Sequence, residues 1–292
     1  MKIAVTGVSG FIGTELLAEL QNTKNIEIIA ITRGGSEHAD TPFCEWRETD
    51  WSVESLSKAL DGADAVIHLA GVRGTTSDPA DYVINETMTE NLLKSMINDE
   101  VKRIVFASTI SVYDDVDEIP WTEDCILKGR TMYGESKINC EGLIWEYAAN
   151  YGFTYGIVRI AQVLGEGEKR RGMMNVFLDT AREGGTIKVM GRSEAKRQYI
   201  WVKDLAKILV MLAAGEGDFD AGSDIIINAG MPNAYTNLEI AQIVNKVFDN
   251  KTPIEYDDSS PETIKPSFMD IAKLKNHGYT PLDMEEALRE LM

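Results

Sequence analysis

The first twenty residues constrain the fold more than any other stretch of the chain. Ile3-Ala4-Val5 is a short apolar run of the kind that a fully buried parallel strand needs. It enters Thr6-Gly7-Val8-Ser9-Gly10-Phe11-Ile12-Gly13, after which Ile12, Leu16, Leu17 and Leu20 recur at helical spacing. Strand, glycine-rich turn and amphipathic helix, in that order, build a phosphate site. Gly7 suits the positive φ of a tight turn, Gly10 lets backbone N–H groups approach a pyrophosphate, and Gly13 allows helix and strand to pack closely. The helix N-terminus then faces the anion with unpaired donors and the positive end of its dipole. The spacing is Gly-x-x-Gly-x-x-Gly, not Gly-x-Gly-x-x-Gly, so the strand and helix around the glycines carry the reading.

The rest of the chain extends that unit. Strand-like runs at 26–31, 64–71, 103–108 and 154–160 alternate with helical stretches at 52–60, 81–98 and 131–151. Strands and helices alternating in this way predict an α/β protein with a doubly wound parallel sheet. Beyond Gln162 the pattern loosens, with a polar, glycine-rich connection at 165–172. Helices are expected at 173–182, 204–214, 236–248 and 284–291, with short strands at 198–202 and 224–228. The expected division is a dinucleotide-binding domain over 1–160 and about 203–230, and a smaller C-terminal substrate lobe over 161–202 and 231–292.

Charge and cysteine usage exclude several classes of function. A formal charge of −18 over 292 residues argues against nucleic acid or an anionic membrane as partner. Cys44, Cys125 and Cys140 show no paired spacing and suggest reduced thiols. His38, His68 and His277 lie far apart and form no ligand cluster, so no metal is expected. The chain goes directly into a strand and has no run approaching a membrane span, and a cytoplasmic location is the expectation.

The chemistry centres on Tyr133-Gly134-Glu135-Ser136-Lys137. On a helix, residues i and i+4 share a face, so the Lys137 ammonium can sit near the Tyr133 phenol. Bringing a tyrosine from a pKa of about 10 to near 7 takes roughly 4 kcal/mol of preferential phenolate stabilisation, part of which a neighbouring cation supplies. A second Tyr-x-x-x-Lys, Tyr199 to Lys203, begins in a strand-like run, where four residues span about 13 Å and the ends do not cooperate. Thr109 ends the strand before the 131–151 helix, where its hydroxyl can bond the substrate oxygen that Tyr133 deprotonates. Ser108, Thr109 and Ser111 could equally cap a strand end.

At the other end of the dinucleotide, an Asp or Glu is expected after the second strand, to accept from a ribose 2′-OH. This chain has Thr32-Arg33-Gly34-Gly35 there. Arg33 can pair with a 2′-phosphate, worth roughly 1.5–3 kcal/mol, or stack flat on the adenine and discriminate little.

The segments at 6–13, 64–71, 108–113, 133–137 and Arg197-Gln198-Tyr199-Ile200-Trp201-Val202-Lys203-Asp204 together resemble the successive motifs of extended short-chain dehydrogenase/reductases. More narrowly, the chain resembles the NAD-dependent epimerase/dehydratase group acting on nucleotide sugars, down to Asn228-Ala229-Gly230 and the Thr236-Asn237-Leu238 helix start. The resemblance implies a Rossmann fold and NAD or NADP as cofactor. It implies that Gly7, Gly10 and Ile12 cradle the pyrophosphate, Asp50 and Trp51 edge the adenine, and Leu69, Ala70 and Gly71 line the cofactor. Phe11, Thr32, Arg33 and Ala107, with Tyr133 and Lys137, complete that set. Thr109, Tyr133 and Lys137 are then the catalytic group, and Arg73, Gln162, Asn175 and Arg197 the substrate contacts, with Arg197 on the nucleotide.

Three positions depart from the family's pattern: Gln162 replaces a usual Asn, the second strand ends in Thr-Arg, and the 261–270 stretch offers Lys265 in place of an arginine. Dehydratases and decarboxylases of the family carry acids just after the catalytic Ser/Thr. Ile110 and Ser111 stand there instead, so the expectation is a nucleotide-sugar epimerase. An NADPH-dependent nucleotide-sugar reductase and a non-catalytic dinucleotide sensor remain the alternatives. Met88, Leu92, Leu143, Ile144 and Trp145 on the 81–98 and 131–151 helices suggest a homodimer, since the equivalent helices pair in relatives.

Overall fold

The computed structural model describes residues 1–33, 43–73, 78–114, 116–168, 172–192, 194–257 and 265–292. Gly34, Gly35, His38, and parts of the 165–172 and 261–270 stretches lie outside the described residues. The strands are β1 (Lys2–Thr6), β2 (Glu27–Arg33), β3 (Cys44–Thr49), β4 (Ala65–His68), β5 (Arg103–Ala107), β6 (Thr154–Ile160), β7 (Gln162–Leu164), β8 (Lys188–Met190), β9 (Tyr199–Trp201), β10 (Ile225–Ala229) and β11 (Glu255–Asp257). The helices are α1 (Phe11–Asn22), α2 (Val53–Leu60), α3 (Pro79–Asn98), α4 (Met132–Tyr151), α5 (Met173–Arg182), α6 (Val202–Ala214), α7 (Asn237–Val247), α8 (Ala272–Asn276) and α9 (Met284–Arg289). A 3₁₀ turn covers Ile110–Tyr113.

Seven strands form one parallel sheet in the order β10-β6-β5-β4-β1-β2-β3. Alternate residues of a strand point to opposite faces, and both faces are covered. Ile3, Val5, Ile67 and Val105 pack with Leu16 and Leu20 of α1 and Leu205 and Leu209 of α6. Ala4, Val66, Ile104 and Phe106 pack on the other side with Leu56 of α2, Leu92 and Met96 of α3, and Ile144 of α4. The sheet is therefore doubly wound. Strand order reverses between β1 and β4, which opens a crevice at the carboxyl ends of those strands. A third apolar cluster gathers Phe177, Trp201, Ile240, Val244, Met284 and Leu288. Two small parallel pairs, β7 with β9 and β8 with β11, lie outside the main sheet.

α4 forms where its ends are satisfied. The Thr131 hydroxyl accepts from the Gly134 N–H at 3.0 Å, and Gly152 closes the helix at φ +75°. Sequence periodicity misses β3, which among the described strands pairs only with β2 and forms the sheet edge. Its Glu45, Arg47 and Glu48 suit an edge exposed to water and mask the strand pattern. β4 stops at His68, so Leu69 to Gly71 leave the sheet as a loop, and α9 stops at Arg289. Among the described residues, no helix is long and apolar enough to cross a membrane.

Candidate active site

The glycine turn is a tight cradle. Gly7 has φ +75°, and a Cβ there would lie 2.7 Å from the Ala70 nitrogen. A Cβ on Gly13 would lie 2.4 Å from the Gly7 carbonyl oxygen, so neither position admits a side chain. No side chain caps α1 at Gly10, which leaves its first-turn N–H groups for an anion. Half-buried Phe11 and Ile12 open that helix, and Phe11 reaches towards the loop after β7 at Gly165. The backbone shape and the free donors fit a pyrophosphate.

The same backbone leads on to the hydroxyl groups. Gly7 abuts Leu69 and Ala70, while a Cβ on the next residue, Gly71, would meet Lys137 Nζ at 3.7 Å. Lys137 is buried, donates to the Ala107 carbonyl at 2.9 Å, and lies 4.5 Å from the Phe106 ring centroid. Half-buried Tyr133 stands one turn earlier on α4, with its ring 6.4 Å from that of Tyr82. Thr109 is buried at the start of the 3₁₀ turn, where its hydroxyl accepts from the Ser111 N–H at 3.2 Å. Asn85 of α3 ties this corner together, accepting from the Val72 N–H and donating to the Ser136 hydroxyl. The second Tyr-x-x-x-Lys is split, with Tyr199 in β9 and Lys203 in the first turn of α6.

His68 ends β4 inside this region, fully buried. Its Nδ1 lies 2.7 Å from the Thr6 hydroxyl, which also accepts from the Ala70 N–H at 3.3 Å. Burial, with the Lys137 charge adding to it, pushes the imidazole down to about 3. His68 is thus a neutral core residue. His277 stacks on Phe219, and among the described residues the three cysteines form no disulfide and no metal-ligand cluster is found.

At the far end of the crevice, Arg33, Glu48, Thr49, Asp50, Trp51 and Ser55 line a cavity of about 480 Å³. Register places Thr32 beside Glu48 and Arg33 beside Thr49. The acid missing from the end of β2 thus has a counterpart one strand over. The Thr32 hydroxyl is buried with no hydrogen-bond partner among the described residues. Hydrogen bonds from Ser52 hold the Asp50 carboxyl below the usual range. Trp51 sits at φ +69°, fixed by Asn91 donating to its carbonyl at 2.9 Å.

The expected substrate residues are dispersed. Arg73 forms a two-point ion pair with Glu168, at 2.9 and 3.2 Å, joining the loop after β4 to the loop after β7. That hydrogen bonding, against the cost of burial and helped by the Glu168 charge, holds Arg73 above its ordinary range. Gln162 is exposed at the start of β7. Asn175 accepts from the Gly172 N–H and lines a separate cavity of about 290 Å³ with Gly165, Glu166, Asp179 and Arg182. Arg197 is half-buried where three segments meet, and its Nε is buried with no hydrogen-bond partner among the described residues.

Sequence reasoning missed Glu48 and the buried Glu141 and Arg159 behind Thr109, and read the buried Ser108 only as a possible strand-end cap. Glu48 becomes a candidate only once β3 is known to flank β2. Glu141 had a signal, since Tyr133-x-x-x-Lys137-x-x-x-Glu141 is one continuous helical stripe.

Comparison with known proteins agrees with this geometry. The model of the NAD dependent epimerase/dehydratase family matches residues 3–230. A putative UDP-glucose 4-epimerase of Methanocaldococcus jannaschii is 26% identical over 302 aligned residues, covering 99% of this chain and 97% of that protein. A UDP-glucuronate 4-epimerase of Thermodesulfobacterium geofontis is 30% identical, covering 98% and 93%. The crystal structure of UDP-N-acetylglucosamine 4-epimerase from Bacillus cereus superposes with a TM-score of 0.87 at 31% identity, covering 100% and 95%.

Proposed function

The chain belongs to the NAD dependent epimerase/dehydratase family, and on that premise we propose that it is a UDP-sugar 4-epimerase. The observation that carries this reading is the placement of Lys137. It is held on the Ala107 carbonyl, beside Gly71, one turn from Tyr133 and continuous with the glycine cradle. A bound nicotinamide dinucleotide supplies the hydride acceptor and donor. Tyr133 takes the proton of the sugar hydroxyl, and Thr109 bonds the same oxygen. The Lys137 cation stands one turn on from that phenol, on the same face of α4. Gly71 and Ala107 leave the strand ends open to a flat ring. When the sugar ketone has turned its other face, Tyr133 returns the proton. Ile110 and Ser111 supply no acid to expel water, which favours epimerisation over dehydration. Arg197 faces the nucleotide in this reading, because an unpaired buried guanidinium nitrogen is what a phosphate oxygen satisfies.

The test is incubation with NAD and UDP-glucose, UDP-glucuronate or UDP-N-acetylglucosamine, with the sugars separated afterwards. The expected result is a mixture of 4-epimers with no net accumulation of reduced cofactor. Stoichiometric consumption of NADPH would make the protein a reductase, and dinucleotide binding without turnover of any sugar would make it a sensor.

NAD is the resident cofactor in this reading, and NADP is accepted beside it. Arg33 in the adenosine cavity supports that acceptance, while Glu48 and Asp50 in the same cavity oppose a 2′-phosphate. The division into a dinucleotide domain and a substrate lobe is consistent with the separate apolar cluster around Phe177, Trp201 and Ile240. A homodimer through α3 and α4 completes the proposal. Leu92 and Ile144 are buried against the sheet, so the surface for it comes from Val83, Ile84 and Trp145, which are exposed. Light scattering at micromolar concentration is expected to give twice the chain mass, and a monomer would exclude the dimer.

A further inference from the structure

Behind Thr109 runs a buried polar network that acid–base chemistry at Tyr133 does not use. The Glu141 carboxylate accepts from the Ser108 hydroxyl and from Arg159, whose Nη2 lies 2.8 Å away and whose Nε lies 3.2 Å away. Arg159 Nη1 donates to the Tyr113 hydroxyl at 2.6 Å and to the Glu123 carbonyl at 3.0 Å. Tyr113 donates onward to Asn228 Oδ1 at 2.9 Å, and Asn228 donates to the carbonyls of Trp121 and Asp270. Burial pushes the Tyr113 phenol far up, so it stays protonated and remains a donor. Ser108, Glu141, Arg159, Tyr113 and Asn228 are all buried.

Ser108 and Tyr113 bracket the turn that carries Thr109. One ion pair pins both ends of it, Glu141 holding Ser108 and Arg159 holding Tyr113. Glu141 stands on α4, on the stripe that bears Tyr133 and Lys137. Between these anchors helix and turn meet backbone to backbone, since a Cβ on Gly134 would lie 2.5 Å from the Ser111 carbonyl oxygen. We infer that the Glu141–Arg159 pair is a positioning device that sets the Thr109 hydroxyl against the Tyr133 phenol. Stability alone does not account for it, because replacing a buried ion pair by apolar residues of similar volume is often neutral or stabilising. Geometry does account for it, because a misplacement of about 1 Å at a reacting centre can cost about 10²-fold in rate.

This inference rests on Thr109 and Tyr133 being the catalytic pair. Glu141→Gln, the double variant Glu141→Leu with Arg159→Met, and Ser108→Ala are compared with the wild type for kcat, KM and dinucleotide affinity. The expected result is a kcat lower by about 10- to 100-fold in the two ion-pair variants and by about threefold in Ser108→Ala. KM and dinucleotide Kd are expected to stay within about twofold of the wild type, since neither binding surface is touched. A wild-type kcat in either folded ion-pair variant overturns the inference, as does a loss of kcat matched by loss of dinucleotide affinity. If neither ion-pair variant folds, Ser108→Ala decides, because it removes one hydroxyl, and an unchanged kcat then overturns the inference. Tyr133→Phe is measured in parallel. Turnover retained there defeats the reading of the active site itself, whereas turnover lost there and kept in the others defeats only the positioning role.

Discussion

At the Tyr133 end of the crevice, Lys137, Ser108, Glu141 and Arg159 are buried, and each is tied to a different element of the fold. At the Arg33 end the charged groups Arg33, Glu48 and Asp50 are exposed, and they come from the end of β2, the edge strand β3 and the loop after it. One end is buried and the other is exposed. The contrast follows from what each end must do. Proton and hydride transfer fail if reacting atoms are displaced slightly, so that end needs rigid surroundings. A dinucleotide tail is already anchored by its pyrophosphate, so its far end needs charge and access more than rigidity.

Tyr133→Phe is the largest expected break in this contrast. It removes the proposed base and keeps the ring, and among the described residues the side-chain hydrogen bonds of α4 pass through other residues, such as Thr131, Ser136, Lys137 and Glu141. Turnover is expected to fall by about 10²–10⁴-fold with dinucleotide affinity retained. Steady-state kinetics beside a binding titration checks both halves of that statement.

Gly13→Ala probes the anchor shared by the two ends. Its Cβ would lie 2.4 Å from the Gly7 carbonyl oxygen, which is backbone and cannot swing aside. Overpacking of this kind costs about 1–3 kcal/mol. Chemical denaturation is expected to show that loss, and dinucleotide affinity is expected to fall with it as the cradle shifts.

His68 sharpens the contrast through pH. Its imidazole drops from 6.5 to about 3 on folding, so protonation favours the unfolded chain. The stability that neutral His68 allows is complete above its unfolded pKa and is lost as pH falls from 6.5 towards 3. The slope is at most about 1.4 kcal/mol per pH unit from this one group. Between pH 7.5 and pH 5 the wild type is therefore expected to lose about 2 kcal/mol more than His68→Gln does. Denaturant midpoints of the two proteins at both pH values measure the difference.

Much of the buried end was legible in the sequence, because its parts are local. A strand, three glycines and a helix lie within the first twenty residues, and Tyr133 and Lys137 share one helical turn. Long-range partners were not legible. Arg159 meets Glu141 only because β6 lies beside β5 with α4 packed over them, and nothing in residues 154–160 announces that pairing. The open end was legible least. Glu48 lies beside Thr32 on a strand in which the adjacent charges Arg47 and Glu48 break the period of two, so the acid that seemed absent from the end of β2 was one strand away.

Glu48 also sets the smallest expected effect, the choice between NAD and NADP. Arg33 alone, paired with a 2′-phosphate, would favour NADP by about ten- to a hundredfold. Glu48 and Asp50 line the same cavity and would repel such a phosphate, and Glu48 would offer a carboxylate to a ribose 2′-OH. Charges this exposed are screened by water and salt, so neither side wins by much. Arg33→Ala is expected to lower the NADP/NAD affinity ratio by about tenfold at most, and Glu48→Gln to raise it by a smaller factor. Titrating both cofactors against the wild type and both variants at low and physiological salt reads the two terms separately. If Arg33→Ala leaves the ratio unchanged, the guanidinium lies flat on the adenine and does not read the phosphate. If Glu48→Gln leaves it unchanged, the acid on β3 has no part in cofactor choice.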